Sequence, residues 1–240
     1  MQTTHLLYME DFNLLKCESK VVEVGKENEK DLVILDKTIF YAQGGGQPYD
    51  TGTIESETGK FLVQEVRFVD GVVKHFGVLE SGTPEAGQIV TCTVNAVRRK
   101  LHSRIHSGGH AVDWAVQQLN SPWIPGKGYH FPDGPYVEYQ GSLEGQDKDQ
   151  LKSKIEELCT QFITQDRPCK LLFMDKEKMH EICRHVPENL PEGKPARVVM
   201  FGDFGVPCGG THVNRTGEIE KITIRKIKTD DPNIRVGYDV

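Results

Sequence analysis

The sequence predicts an α+β protein, with an all-β first part and a mixed second part. Short runs of Val, Ile and Phe separated by turn residues fill about the first ninety positions, without helical periodicity. From Asn95 onward, stretches with apolar residues at helical spacing alternate with further short apolar runs. We therefore expect a β-barrel-like domain over residues 1–92 and an α+β domain over 93–240, with helices packed on a mainly antiparallel sheet.

The predicted strands of the first domain are short and are separated by Gly, Asp, Asn and Glu-rich turns, as in a small barrel. They cover residues 20–24, 32–35, 38–41, 61–68, 72–76 and 90–94.

The second domain should contain two long helices and several strands. Residues 96–119 place Val112, Ala115, Val116 and Leu119 on one helical face, and residues 147–163 form an amphipathic pattern. We also predict a short helix capped by Asp175 and running to Cys183. A Pro- and Gly-rich loop is expected over 121–134, and strands over 136–139, 170–174, 198–201, 219–227 and 234–240.

Composition narrows the function classes. The net charge of −6 is unlike that of a protein coated with basic residues for nonspecific nucleic-acid binding. No apolar run approaches the roughly 18–20 residues of a membrane span, and no secretory signal precedes the first strand. The six cysteines form no disulfide framework, so we expect reduced thiols, a cytoplasmic location and no membrane partner.

An RNA partner would have to bind through a local basic surface. Two runs qualify, although an ordinary solvated face is the commoner explanation of either run taken alone. The first run comprises Arg98, Arg99, Lys100 and Arg104, and the second comprises Lys221, Arg225, Lys226 and Lys228.

The first long helix carries three histidines four residues apart. His102, His106 and His110 form a column on one helical face, where an adjacent pair could bind one metal ion. Gly108 and Gly109 cost this helix about 2 kcal/mol relative to alanine. We expect them to make room for a substrate, which favours His106 and His110 as the metal pair and leaves His102 beside the site or at the surface.

A second motif supplies a thiolate and an imidazole. Cys208 and His212 lie in a Pro- and Gly-rich loop, where ligands four apart can converge. Alone, this spacing is a weak indication of a metal site. With His106 and His110 it completes three imidazoles and one thiolate, a set that suits tetrahedral Zn²⁺.

Other catalytic motifs do not occur in the sequence. It contains no His-Glu-x-x-His, no Gly-x-Ser-x-Gly and no Walker loop. The run from Gly44 to Gln47 has two interpretations, a turn that needs positive φ or a surface that admits a ribose or phosphate.

These motifs carry a resemblance to a known family. His106-Ser107-Gly108-Gly109-His110 and Cys208-Gly209-Gly210-Thr211-His212-Val213 closely resemble the editing domain of alanyl-tRNA synthetases. The likeness continues through residues 214–219 and through residues 40–48 with Asp50-Thr51-Gly52. It covers nearly the whole chain, which resembles the free-standing AlaX proteins of medium length.

The resemblance implies a site and an activity. It places His106, His110, Cys208 and His212 at a zinc ion and Gly44, Gly45, Gly46 and Gln47 near the bound aminoacyl-adenosine. Where synthetase editing domains often carry a glutamine, this chain has Gly126, so Thr211 and His130 become the candidates for positioning water or substrate. The implied activity is hydrolysis of serine or glycine wrongly attached to tRNA(Ala), with Arg98, Arg99, Lys100 and Arg104 binding the RNA.

Three alternatives remain open. The chain could be a non-catalytic, zinc-stabilised RNA-binding module. It could deacylate a different tRNA such as tRNA(Thr), since threonyl-tRNA synthetases carry a related domain. It could also hydrolyse a small ester or amide with the help of a metal.

Overall fold

The computed structural model describes residues 3–188, 190, 195–230 and 232–240 and confirms the α+β class. The chain forms two compact units. The first comprises the residues up to Gly44 together with 48–101, and the second comprises 45–47 together with 102–240. The predicted domain boundary at 92/93 remains a prediction.

The first unit contains a closed barrel of six strands in which all neighbours are antiparallel. Their order around the barrel is β2-β3-β7-β6-β5-β8, and β8 pairs with β2 to close it. The short strands β1 and β4 form a separate parallel pair. The elements of this unit are β1 (His5–Leu6), α1 (Leu7–Glu10), β2 (Lys16–Glu27), β3 (Lys30–Leu35), β4 (Lys37–Thr38), β5 (Gly52–Glu55), β6 (Gly59–Val69), β7 (Val72–Gly82) and β8 (Ile89–Val94).

Alternating apolar side chains fill the barrel, and Val33, Ile54, Phe61 and Cys92 are fully buried there. Strand β5 and the first half of β2 were not predicted from the sequence. In both segments, Gly, Glu, Lys and Ser outnumber the apolar residues. The strand predicted over 38–41 is wrong in extent, since only Lys37–Thr38 is extended and paired.

The second unit contains two antiparallel sheets and a long helix, α2 (Ala96–Gln118), whose residues from His102 onward belong to it. One sheet has the order β14-β15-β10-β9, and the other has the order β11-β12-β13. The remaining elements are β9 (Ile124–Tyr129), β10 (Tyr136–Gln140), α3 (Lys148–Thr164), β11 (Cys169–Met174), α4 (Lys176–Met179), β12 (Ala196–Phe201), β13 (Phe204–Pro207), a 3₁₀ turn (Thr216–Ile219), β14 (Thr223–Asp230) and β15 (Asn233–Asp239).

One core joins helices and sheets of this unit. Val112 and Ala115 of α2 pack in the same cluster as Phe162 of α3 and as Tyr139 and Val236 of the four-stranded sheet. The two long helices were predicted correctly because their apolar residues recur every three or four positions.

Three local predictions are wrong. Strand β9 lies inside the predicted loop 121–134. The Pro and Gly residues of this segment indicated a loop, but pairing with β10 holds it in an extended conformation. The strand predicted from residue 219 begins at Thr223, after the 3₁₀ turn. Helix α4 ends at Met179, before Cys183, and the Asp175 side chain makes no capping hydrogen bond. Among the described helices, none has the length and apolar character needed to cross a membrane.

Arg99 of the predicted RNA-binding run is buried in the first unit. Its guanidinium donates to both carboxylate oxygens of Asp50 and to the backbone oxygens of Phe12 and Ile39. The Asp50 carboxylate also accepts from the Tyr41 backbone N–H at 2.7 Å. Because Arg99 is buried and each of its three guanidinium nitrogens donates within the unit, it holds this unit together and is not free to bind a phosphate.

Arg99→Ala should therefore lower the free energy of unfolding by about 3–5 kcal/mol, because it leaves the Asp50 carboxylate buried and unpaired. Its exposed neighbour provides the control, since Lys100→Ala should change the stability by no more than about 0.5 kcal/mol. Urea unfolding of the two variants measures the difference. Similar stabilities would contradict an essential buried ion pair.

His75 adds a pH dependence to the barrel. Nδ1 of the ring donates to the Val33 carbonyl at 3.0 Å, and Nε2 accepts from the Thr38 hydroxyl at 2.9 Å. Burial lowers the pKa of His75 from 6.5 to about 4. The ring is thus neutral in the folded state, whereas the unfolded chain takes up a proton below about pH 6.5.

The contribution of His75 to the free energy of unfolding is therefore fully present above pH 6.5. As the pH falls toward 4, this contribution should be lost, which lowers the free energy of unfolding by about 3 kcal/mol in total. Urea unfolding at a series of pH values measures this loss. Carboxylates titrate in the same range, so the test is a comparison with His75→Gln, which should lose correspondingly less stability over the interval. Parallel curves would show that His75 does not titrate as proposed.

Candidate metal centre

Four potential ligands from two distant segments lie together in the second unit. His106 and His110 are one turn apart on α2, while Cys208 and His212 lie in the loop that follows β13. One ligand atom from each lies within 4.8 Å of all the others. The structure thus brings together the four residues that the two motifs suggested.

The side-chain amide of Gln47 orients His106. Its Oε1 is 2.8 Å from Nδ1 of His106 and also accepts from the Thr211 backbone N–H at 3.0 Å. Its Nε2 donates to the Thr211 hydroxyl at 2.9 Å. That hydroxyl is in turn 2.8 Å from the Ser103 hydroxyl, so Thr211 is held between two partners. With its Nδ1 proton donated to Gln47, His106 presents Nε2, which lies 3.4 Å from Sγ of Cys208.

The other two histidines have equivalent partners. Nδ1 of His110 is 3.3 Å from a carboxylate oxygen of Asp113, and the other oxygen of Asp113 accepts from the Tyr139 hydroxyl at 2.7 Å. Nδ1 of His212 is 3.4 Å from the Ser107 hydroxyl. Hydrogen bonds of this kind fix the orientation of metal-binding imidazoles and leave the opposite nitrogen for the ion.

The residues present fit a zinc ion. Each of the three imidazoles is engaged through Nδ1, and Nε2 of His110 is buried without a hydrogen-bond partner among the described residues. A buried polar atom without a partner is costly unless a ligand satisfies it. Three imidazoles and one thiolate match the nitrogen and sulfur donors that Zn²⁺ prefers.

The local electrostatics favour the metal-binding forms of most ligands. Burial lowers the pKa of His106 and His212 well below the usual range, which keeps both rings neutral. Burial raises the pKa of Cys208, but His110 and Arg197 outweigh it and make the net shift downward. Burial also lowers the pKa of His110, but Asp113 and Cys208 outweigh it and raise the pKa to about 9.

Arg197 holds the loop that carries two of the ligands. Its guanidinium is buried and donates to the carbonyl of Cys208 at 2.8 Å and to the carbonyl of Gly210. Gly210 itself lies against the His106 ring, and a β-carbon there would collide with it. The loop is therefore fixed on one side by a cation and on the other by close packing.

The paired glycines of α2 have a different explanation from the expected one. A β-carbon at Gly108 would collide with Val240 and Tyr238, and one at Gly109 would collide with His130. Both glycines thus allow the helix to pack closely against its own unit. Close packing within the protein, and not room for a substrate, therefore explains these glycines. Of the two positions expected for His102, beside the site or at the surface, its burial excludes the second.

His130 lies against the centre with its ring stacked on that of His106, with 4.3 Å between centroids. The Tyr238 hydroxyl donates to the Ile105 carbonyl at 2.8 Å and lies 2.7 Å from Nδ1 of His130, which therefore donates to it. Burial lowers the pKa of His130 to about 3, so its ring is neutral at pH 7.

The glycine-rich run is a turn at its second and third positions. Gly45 and Gly46 have φ values of 52° and 76°, as the turn interpretation requires. The Gly46 carbonyl accepts from the His130 backbone N–H at 2.8 Å, and a β-carbon at Gly46 would collide with Gly128. In the first unit, the Gly44 carbonyl accepts from the Tyr41 hydroxyl at 2.8 Å. A substrate-binding role of this run remains a proposal.

The remaining basic residues differ in their availability. Arg98 donates to the Tyr49 carbonyl at 2.9 Å, and Arg104 donates to the Ile219 carbonyl at 3.2 Å, so both are partly engaged. Lys100 is exposed. In the second run, Lys226 and Lys228 are exposed, and the charge of Lys228 lowers the pKa of Lys226.

The sequence did not reveal the role of four residues that hold the candidate ligands in place. Asp113 lies three positions after His110 and Ser107 three positions before it, where helical spacing places side chains on the same face, so the spacing could have indicated both. Gln47 was noticed, but as a substrate contact and not as the partner of His106. No sequence pattern indicated the role of Arg197, because it reaches the Cys208 loop from a neighbouring strand.

Comparisons with known proteins agree with the motifs. A family model described as tRNA synthetases class II (A) matches residues 3–98, and one described as the threonyl and alanyl tRNA synthetase second additional domain matches residues 196–235. The alanyl-tRNA editing protein AlaX-L of Pyrococcus horikoshii is 29% identical over 95% of this chain. The alanine–tRNA ligase of Archaeoglobus fulgidus is 33% identical over 94% of this chain. The alanine–tRNA ligase of Haemophilus influenzae is 32% identical over 84% of this chain.

The chain spans only part of these relatives, namely 55% of AlaX-L and 24% and 23% of the two ligases. The matches nevertheless extend through both units of the chain and include the segment with Cys208 and His212. Both units of the chain are therefore similar in sequence to the alanyl-tRNA editing protein AlaX-L and to the alanine–tRNA ligases.

Proposed function

We propose that this chain is an aminoacyl-tRNA hydrolase that removes serine, and also glycine, from mischarged tRNA(Ala). The observation that carries the proposal is the cluster of His106, His110, Cys208 and His212, whose imidazoles are each fixed through Nδ1. The relationship to an alanyl-tRNA editing protein supports the reaction type.

Zn²⁺ is the ion we propose for this cluster. When bound, it would supply Lewis-acid chemistry, either to activate water or to hold the amino group of the substrate. The residues around it have separate roles. Gln47, Asp113 and Ser107 orient the imidazoles, Arg197 holds the loop with Cys208, and the neutral ring of His130 supports His106 by stacking.

The need for such a hydrolase follows from the size of the amino acids. A pocket shaped for alanine cannot exclude glycine, which is smaller, and rejects serine only weakly, because serine merely adds a hydroxyl. We propose that the site recognises this hydroxyl through Gln47 or Thr211. Only one N–H of the Gln47 amide is left after its contacts with His106 and Thr211, and that N–H is the donor we assign to serine.

The RNA partner requires a basic surface, and the buried Arg99 leaves Arg98, Lys100 and Arg104 as the candidates of the first run. On β14 we propose Lys226 and Lys228 as additional phosphate contacts. The charge of Lys228 lowers the pKa of Lys226, so two like charges lie close together there, and an RNA backbone would neutralise them. We place the reaction in the cytoplasm, where aminoacyl-tRNAs are made and used.

Two other functions compete with this proposal. A zinc-stabilised RNA-binding module would bind tRNA and metal without hydrolysis. A deacylase for tRNA(Thr) would use the same site on another RNA. Incubation with Ser-tRNA(Ala), Gly-tRNA(Ala), Ala-tRNA(Ala) and Ser-tRNA(Thr) separates the three, and equal rates on Ser- and Ala-tRNA(Ala) would rule out recognition of the serine hydroxyl.

Removing one ligand tests the centre directly. Cys208→Ala should lower both the zinc content and the rate of Ser-tRNA(Ala) hydrolysis, the rate by more than about 100-fold, because loss of a ligand should exceed the 10–100-fold cost of losing an orienting partner. Metal analysis and release of labelled serine measure the two effects.

Cys169→Ala is the matched control, since Cys169 is a half-buried thiol of the same unit outside the cluster. It should retain metal and activity. A folded, zinc-free Cys208→Ala protein with an unchanged rate would refute the metal requirement. A wild-type protein that holds zinc but hydrolyses none of the four substrates would favour the RNA-binding module.

Charge reversal tests the RNA surface. The double substitution Lys226→Glu/Lys228→Glu should weaken tRNA binding. It should also reduce the slope of log Kd against log salt concentration by about two, because each lost phosphate contact lowers that slope by close to one. Filter binding over a range of salt concentrations measures this slope. The control is Lys170→Glu/Lys178→Glu, which makes the same change of charge at two other exposed lysines. Equal effects of the two double variants on tRNA binding would contradict a local binding site.

A further inference from the structure

Two cysteines of the first unit face each other across the seam that closes the barrel. Strands β2 and β8 are antiparallel neighbours, and their register places Cys17 directly opposite Cys92. Side chains of directly opposed residues project from the same face of an antiparallel pair. The two thiols therefore share one face of the seam.

The spacing of this pair follows from the hydrogen bonds of the ladder. The Val21 N–H donates to the Gln88 carbonyl at one end, and the Val94 N–H donates to the Leu15 carbonyl at the other. Because bonded and non-bonded pairs alternate, the cysteine pair occupies a bonded position, where α-carbons lie about 5.5 Å apart. That separation falls within the roughly 4.4–6.8 Å that a disulfide bridges.

The two thiols have unlike surroundings. Cys92 is fully buried in the barrel core, whereas Cys17 is half-buried, with its Sγ 3.4 Å from the Ser19 hydroxyl. A hydrogen bond with Cys92 and the charge of Lys37 lower the pKa of Cys17 to about 6 and outweigh burial, which opposes them. The same hydrogen bond and burial raise the pKa of Cys92. Cys17 is thus the more accessible and the more readily ionised of the two thiols, and Cys92 is shielded.

We propose that Cys17 and Cys92 form a peroxide-sensitive dithiol, in which Cys17 reacts with the oxidant and Cys92 resolves the product into a disulfide. In the first step the Cys17 thiol gives up its proton and its sulfur attacks hydrogen peroxide. The O–O bond breaks and Cys17 becomes a sulfenic acid, while the other oxygen leaves as hydroxide and takes up that proton to form water. In the second step the Cys92 sulfur attacks the Cys17 sulfur, and the S–O bond breaks. The departing hydroxide takes the Cys92 proton, so peroxide is reduced to two waters as the two thiols are oxidised.

The consequence would be a covalent closure of the barrel. The disulfide joins β2, the first strand of the barrel along the chain, to β8, the last. Restricting the unfolded chain in this way stabilises the folded state. No other two cysteines are paired across a strand ladder in the described part of the chain.

The test is oxidation of the reduced full-length chain, with its metal, by a small excess of hydrogen peroxide. Acid quenching, alkylation of the remaining thiols and peptide mass analysis should show a peptide linking Cys17 to Cys92. Cys208 and the other three cysteines should be alkylated as before oxidation. The melting temperature of the oxidised protein should exceed that of the reduced protein.

Three variants separate the roles of the two thiols. Cys92→Ser should accumulate the sulfenic acid at Cys17, which dimedone labels, whereas the wild type should not. Cys17→Ser should leave Cys92 as an unreacted thiol, and Cys169→Ser should form the link normally. Full alkylation of both cysteines after peroxide treatment of the wild type would overturn the proposal, as would absence of the dimedone adduct from Cys92→Ser.

Discussion

The buried side-chain amide of Gln47 connects the segments from which the candidate centre is built. Through Oε1 it binds His106 of the long helix, and through both of its polar atoms it binds Thr211 of the loop between Cys208 and His212. These partners lie 59 and 164 positions away along the chain. Because a planar amide can satisfy both only in one orientation, it sets the direction of the His106 ring and the position of the loop together.

The glycines around the centre show how closely the backbone packs there. Gly46 lies on Gly128, Gly109 lies on His130, and Gly210 lies on His106, and in each place a β-carbon would occupy space already filled. Cores of proteins are packed as densely as crystals, so such contacts leave little freedom for neighbouring groups. Close packing of this kind limits how far the segments that carry the candidate ligands can move.

The clustering of the four candidate ligands could be predicted from the sequence, and most of their surroundings could not. His106 and His110 are found from helical periodicity, and the soft donor Cys208 with His212 completes a chemically sensible set. The contacts of Arg197 and Gln47 depend on which strands and turns become neighbours, and no local pattern encodes that. The burial of Arg99 was missed for the same reason, since its partner Asp50 comes from a distant loop. Strand β9 exists because β10 pairs with it, and not because of its own composition.

The charges of the candidate centre favour the reaction that we propose for it. With a divalent ion in place, one thiolate and neutral imidazoles would leave the cluster with a net positive charge. The buried guanidinium of Arg197 adds a second positive charge, and the Asp113 carboxylate beside His110 compensates only one of them. Hydrolysis of an ester builds negative charge on the former carbonyl oxygen, and fixed positive groups in a site of low polarity stabilise such charge most effectively. With the proposed ion bound, the surroundings of the four candidate ligands would therefore suit acyl-transfer chemistry.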